Sequence, residues 1–468
     1  MIFSGTSDVR SLRGTSRKVV SAVLSGKSYS GGDVLPAGIA SDPGIPAELL
    51  VDLLRGRYGY PVDNIDLVGL VIHGVNLSYR HWSGRLNLVK CLFTGSFNVS
   101  HAVVQGRICL DGSHVAGFHA IDARIDGSIH LRDGFTAPDG VRGLGLSVTG
   151  SLSVRGSTLG APAEVPSRAA LDLFRASIGD LFVNNSDLRG GIYANGSTIR
   201  RNIRLQGARI QSRQLAGMTS AADAGDGISL VNVTVGGAIY FWTSEAGPTD
   251  LQGTVSLNGA RCQTWTVHPT QLEKADISID NFTYRRILPA TGSDVLRLLS
   301  GSSIAPSAYG HLAEHFEALG QPALSRITRI SLQRRLARSY PLRSREGFTR
   351  RTLGILVGYG YRPALALLWL SVAVTMSGLL IMLHPGLFQP AKGSAAKAPT
   401  SMSWVESIAL AVDNVVPFIS TGSKEQWTLT TTNLDDWPWF TALLLLKIAG
   451  WAFAILGAAS VTGAIRSK

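Results

Sequence analysis

Between Gly84 and Gly253 the chain keeps returning to one phrase, glycine-x-apolar-x-apolar, at a spacing close to eleven residues. The clearest copies begin at Gly84, Gly95, Gly106, Gly117 and Gly127, where Leu86/Leu88, Phe97/Val99, Ile108/Leu110 and Ile129/Leu131 fill the apolar places and only His119 breaks the pattern. Further copies begin at Gly150, Gly179, Gly190, Gly237 and Gly253, and Arg201 takes the glycine place before Ile203 and Leu205. A fixed period of this length marks a chain that stacks one small unit on the next, because no unit alone buries enough apolar surface to hold itself together.

Apolar and polar residues alternate within each unit, as in Ile125-Asp126-Gly127-Ser128-Ile129-His130-Leu131, so one set faces inward and the other faces water. Small residues between units, such as Ala102, Ser186, Ser197 and Ala208, let the backbone bend without filling a narrow interior. Two units make a coil of about 22 residues, and coils stacked at about 4.8 Å pair their strands in parallel. The expected fold is mainly β: a parallel β-solenoid of about eight coils over 61–288. Four irregular stretches, 132–146, 159–169, 211–226 and 244–250, read as loops extruded from it. Its open ends need covering. Leu49, Leu50, Leu53 and Leu54 at helical spacing, with Pro46 before and Gly56 after, predict a capping helix within 45–60, and helices after 293 cover the other end. Residues 1–44 are expected to be poorly ordered, since Arg10, Arg13, Arg17 and Lys18 precede an apolar stretch too short for a secretory signal.

The formal net charge of +12 raises the question of nucleic acid, but its location answers otherwise. Nine arginines fall between Arg326 and Arg351, directly before a long apolar segment. A basic helical stalk (293–351) therefore leads into a membrane domain (352–468), with a membrane-surface cluster of Arg334, Arg335, Arg338, Arg343, Arg345, Arg350 and Arg351 facing anionic lipid of the inner leaflet. Two spans are predicted, 364–383 and 439–465, the second interrupted by Lys447. The intervening 404–419, with Glu406, Asp413 and Asn414 inside it, is too short to cross and is expected to be interfacial or re-entrant. Arginine precedes the first span and Arg466 and Lys468 follow the second, which places both termini in the cytoplasm of a two-span cell-membrane protein. Asp413 and Lys447 are the candidate intramembrane polar pair, because an ionisable group at that depth is costly alone.

No reaction is written into these residues. Cys91, Cys109 and Cys262 show neither zinc-knuckle spacing nor an even count, and read as reduced, partly buried thiols. His311-Leu312-Ala313-Glu314-His315 spells a zinc-protease motif but lacks an identifiable third ligand, and reads as packing or surface histidine. The elements Gly143-Leu144-Gly145 and Gly225-Asp226-Gly227 lack the strand-turn-helix setting of a dinucleotide site. His73, His81, His101, His114, His119 and His130 fall in the early coils and read as solvated. The segment Phe418-Ile419-Ser420-Thr421-Gly422 between two spans invites a pore reading, yet the Gly358-Tyr359-Gly360 triplet lies before the first span, on the wrong side for a potassium filter. No catalytic, cofactor-binding or metal residue is assigned, and no cofactor is implied by the residues.

The Leu-rich cap, the repeat phrase, the run Phe282-Thr283-Tyr284-Arg285-Arg286, the Tyr309-x-x-Leu312-Ala313 helical hairpin and a final hairpin containing Trp451 are the features through which the chain resembles a bacterial family of membrane-attached, pentapeptide-like β-helix proteins, often labelled membrane-associated oxidoreductases. The resemblance covers most residues after Ile45 and implies organisation. Its label implies a redox cofactor, for which no residue here offers a motif. The function expected is a non-enzymatic, membrane-tethered solenoid scaffold that presents a binding surface to a cytoplasmic protein partner, with a homo-oligomer compatible and nucleic acid not among the partners. The alternatives are a membrane-associated oxidoreductase and a small oligomeric two-span pore.

Overall fold

The computed structural model describes Val9, Leu296, Leu299 and residues 12–36, 44–58, 62–161, 169–212, 226–243, 247–267, 276–288, 305–341, 343–390, 403–429 and 437–462. The chain divides into two compact units, Met1–Leu319 and Gly320–Lys468.

In the first unit almost every strand is short and pairs in parallel with its counterpart one circuit later. One ladder joins Ile65, Leu86, Ile108, Ile129, Leu152, Leu181, Ile203, Ile239, Trp265 and Ile287. A second joins Trp82, Val104, Ile125, Val148, Ile178, Ile199 and Val235. A third runs from Val75 and Phe97 through Phe118, Val141, Leu171, Ile192, Ile228 and Val255 to Ile277. The fourth links Ile72 to Phe93, and Ala137 through Leu159, Leu188 and Ile210 to Leu251, with His114 bridging the gap. All these apolar residues are buried. Each circuit thus sends a side chain inward from four directions, as Leu86, Phe93, Phe97 and Val104 do, and every such aliphatic removed from water contributes roughly 1.5–3 kcal/mol.

Three expectations need correction. The first ladder has ten register positions among the described residues, where about eight coils were expected. Part of the difference is 132–146, which is no loop: Thr136–Ala137 and Val141–Arg142 are regular strands of the repeat. His119 also breaks nothing, because Phe118 is the register partner of Phe97 and faces inward with Ala120, while His119 pairs with Asn98 on the outer row. The glycine phase slips by one residue there, and the strand pairing does not follow it. Most of 159–169, 211–226 and part of 244–250 lie outside the described residues; Trp242–Thr243 and Gly247–Pro248 pair antiparallel around the last of these.

The glycine place in the phrase has a steric cause. A Cβ on Gly106 would sit 1.8 Å from the carbonyl oxygen of Gly84, and one on Gly127 would sit 2.0 Å from that of Gly106. Successive circuits cross backbone on backbone at this corner, and no side chain fits between them. A different corner recurs with a left-handed residue: Tyr79, His101, Asp122, Arg175, Asn232 and Asn281 occupy it at φ of 50–59°, and Gly145, Gly196 and Gly259 take the same place. Asn and Asp tolerate this conformation, so glycine is not demanded there.

Both ends of the ladders are covered. Helix α1 (Gly14–Leu24) buries Val19, Val20 and Val23, and the following Tyr29–Ser30 adds a parallel strand beside Leu67 and Val68. Of the stretch 1–44 expected to be poorly ordered, 1–8, 10–11 and 37–43 lie outside the described residues, while Gly14–Leu24 and Tyr29–Ser30 are regular and cover one ladder end. Helix α2 (Ala47–Leu54) buries Leu49, Leu50 and Leu53 as the spacing predicts. At the far end, helix α3 (Pro306–Ala318) buries Tyr309, Leu312, Ala313 and Phe316 and packs on the terminal strand Thr283–Leu288.

The second unit is helical. It comprises α4 (Pro322–Ser339), α5 (Arg345–Val357), α6 (Pro363–Leu383), α7 (Trp404–Val415) and α8 (Trp437–Val461), with a short antiparallel pair, Phe388–Pro390 against Trp427–Leu429. At 1.5 Å per residue α6 and α8 measure about 32 and 38 Å, enough for a hydrocarbon core of about 30 Å. Their most apolar windows are only 28% and 11% buried, the reverse of a soluble core helix. Helix α7 spans about 18 Å and falls short of such a core. It packs between the long helices: Ile408 approaches Gly378 of α6, and Val415 fills the space that a Cβ on Gly450 of α8 would need.

Candidate functional site

The basic cluster is assembled by α4, α5 and the turn that follows. Ser344 caps α5 by accepting a hydrogen bond from the Gly347 amide at 3.0 Å, and the helix ends at Gly358 with φ 56°. Tyr359, itself left-handed at φ 59°, folds back so that its ring lies over Gly354. Burial pushes the Tyr359 phenol up against the opposing pull of Arg334, Arg338, Arg350 and Arg351, whose charges converge on it from both helices. Arg350 donates to Gln333 Oε1 at 3.0 Å and lies over the Tyr340 ring at 5.5 Å, and Arg351 donates to the Tyr340 carbonyl at 3.1 Å. A cavity of about 360 Å³ opens here beside Arg345, Glu346, Thr349 and Leu353. Arg343 is exposed in the preceding turn and Arg335 is half-buried on α4. Phe348 and Ile355 are exposed on one face of α5, one heptad apart, with Arg345 and Arg351 flanking them.

The proposed polar pair does not form. Asp413 is fully buried, but its carboxylate accepts from the backbone amides of Thr421 and Lys424, the latter at 3.2 Å. The chain leaves α7 at Val415 and returns within a few residues, so these amides satisfy Asp413 locally. Lys447 sits mid-way along α8, and among the described residues no ion pair links it to Asp413, whose carboxylate is taken by the two loop amides.

In the first unit, the zinc-protease spelling dissolves. His311 Nε2 lies 3.1 Å from the Tyr284 nitrogen and 2.7 Å from its carbonyl oxygen, so this ring nitrogen serves the open edge of the last strand. His315 lies edge-on to the Tyr284 ring. Ser307 reinforces the same cap by accepting from the Asn281 amide at 2.8 Å. A groove of about 1030 Å³ runs along this end, lined by Asn232, Asn258, Arg261, Asp280 and Glu314. Among the early histidines the circuit brings His130 to Cys109 and Asp111, a convergence that linear spacing did not reveal. The signal was present in the period: His130 stands one register step from Cys109.

No protein-family model, curated protein or solved structure matches this chain.

Proposed function

We propose that this chain is a membrane-tethered parallel β-solenoid of the pentapeptide-like kind, a non-enzymatic scaffold held against the anionic cytoplasmic leaflet by α4 and α5 and presenting its outer surface to a protein partner. The observation that carries the reading is the exposed apolar surface of α6 and α8, including Leu367, Leu379, Met382, Leu445, Ile448 and Ile455, in the same unit as the arginine-lined α4 and α5. Contiguous apolar area on this scale is tolerated only where lipid or protein covers it. Trp437 and Trp439, with His384 stacked on the latter at 4.2 Å, supply amphipathic rings at one end of the helix pair, as an interfacial belt does. Two spans with arginines before the first support a topology with both termini in the cytoplasm.

The test is amide exchange of the full chain reconstituted into vesicles. The α5 amides are expected to be protected in vesicles containing phosphatidylserine and to exchange faster in pure phosphatidylcholine. The variant Arg345→Glu/Arg351→Glu is expected to remove the difference, since each arginine near an anionic surface contributes about 1 kcal/mol. Equal exchange in both lipids would overturn the docking, and an external reading from a reporter fused after Lys468 would overturn the topology.

A further inference from the structure

The strands Arg85–Val89, Ile108–Cys109 and Ile129–His130 stack in register and bring Asn87, Cys109 and His130 into one row. This row alternates with the inward Leu86, Ile108 and Ile129, so its side chains leave the apolar interior. Asp111, two residues beyond Cys109, joins them. One donor atom from each of Cys109, Asp111 and His130 lies within 4.8 Å of the other two. Bond lengths of about 2.0–2.3 Å in a tetrahedral zinc site place ligand atoms roughly 3–4 Å apart, so side-chain adjustment on the order of 1 Å closes the set without moving backbone.

Two further atoms point the same way. His130 Nδ1 and Asn87 Oδ1 are both sealed from solvent without a hydrogen-bond partner. A polar atom sheltered from water without a partner is destabilising, and a bound cation would relieve that. Asp111 is held in place by Arg132, which donates to it from Nη2 at 2.6 Å and from its backbone amide at 3.0 Å. Arg132 Nε also reaches both carboxylate oxygens, at 3.2 and 3.1 Å, so three Arg132 hydrogens take up most of the carboxylate's about four lone-pair sites and one site remains for a metal. Arg132 then does for Asp111 what outer-shell partners do generally: it fixes the orientation of a ligand.

We propose that Cys109, Asp111 and His130 form a binding site for a borderline divalent cation of the zinc class, with Asn87 Oδ1 or water completing four-coordination. Mixed sulfur, nitrogen and oxygen donors select such a cation over calcium or magnesium. The inference concerns the first unit alone and does not rest on the membrane reading. Binding exchanges a proton for a metal–sulfur bond: the Cys109 thiol gives H⁺ to solvent and its sulfur keeps the electron pair that it shares with the cation. One proton leaves per cation bound, so affinity is expected to rise with pH.

The experiment titrates Co²⁺, then Zn²⁺, into the full chain purified in detergent and stripped with chelator. Thiolate-to-cobalt charge-transfer absorption with the intense d–d bands of four-coordinate cobalt is expected, displaced by zinc. Cys109→Ser should abolish the charge-transfer band, His130→Gln should weaken binding by more than the about 10–100-fold that an outer-shell partner carries, and Cys262→Ser should change nothing. Zinc protection of Cys109 against alkylation, read on the unsubstituted chain, provides a measure that no folding defect affects. Absence of the band, its persistence in Cys109→Ser, or unchanged alkylation would each overturn the site.

Discussion

Replacing Gly127 with alanine tests what sets the period. The added Cβ would stand 2.0 Å from the Gly106 carbonyl oxygen, at least 1 Å inside the closest approach that real Cβ atoms make. Its obstacle is backbone, which cannot rotate aside as a side chain would. Spreading the two circuits by 1 Å lengthens the bonds from the Ile108 amide to Ser128 at 3.0 Å and from the Leu110 amide to His130 at 2.8 Å. Losing two such bonds costs about 1 kcal/mol each, and the overpacking itself about 1–3 kcal/mol, for a total of roughly 3–5 kcal/mol. Gly134→Ala is the control for handedness, since φ there is +95° but no atom lies within 4 Å, and it should cost about 1–3 kcal/mol. Gly32→Ala, with open space and no positive φ, should be silent within about 0.5 kcal/mol. Hydrogen exchange on the full chain is the assay, because damage in a stacked array is felt first by its neighbours. Amides of 84–153 should lose protection in Gly127→Ala well before those near either cap. Wild-type protection in that variant would show that backbone crossing is not what keeps glycine in the phrase.

Two further outcomes are expected. His311→Ala should free the Tyr284 edge at a cost of about 1–3 kcal/mol; Cys262, whose buried thiol on the adjacent strand is pushed up to about 12, should then be alkylated sooner than Cys91, and equal rates would count against the cap. Asp111 carries a carboxyl that burial raises but that Arg132 and the Cys109 thiol together hold below the ordinary value, so its contribution is complete above about pH 4 and disappears as pH falls through the folded-state value. Arg132→Ala should therefore destabilise the chain by about 1.5–3 kcal/mol at pH 7 and by progressively less as pH falls below about 4 in urea unfolding, and a pH-independent difference would refute the ion pair as its cause.

Period-two alternation and the glycine phase made the repeat legible, since both are local: Leu86, Ile108 and Ile129 face inward as read. What escaped depends on contacts between distant residues. Phe118 rather than His119 turns inward because the preceding circuit, at Phe97, sets the register. The N-terminal cap was missed because Val19, Val20 and Val23 are too few to announce a helix without the ladder end they seal. Asp413 and Lys447 looked complementary only as charges; the peptide loop after Val415 reaches the carboxylate first. Cys109 and His130 became neighbours only when the circuit length was fixed to the residue.

The fourth and third ladders are normally joined across four residues, as from Phe93 to Phe97, Ala137 to Val141 and Leu188 to Ile192, yet Leu159 is followed by Leu171 and Ile210 by Ile228 at the same corner. Leu188 still pairs with both Leu159 and Ile210, and Ile192 with both Leu171 and Ile228, the one register irregularity beside these pairings falling between Asp226 and Ile228. Lengthening such an excursion costs only about 0.6 kcal/mol per doubling. This corner is accordingly a permissive port, where an epitope, a fluorophore tag or a borrowed recognition loop could be spliced in while the stack beneath keeps its count.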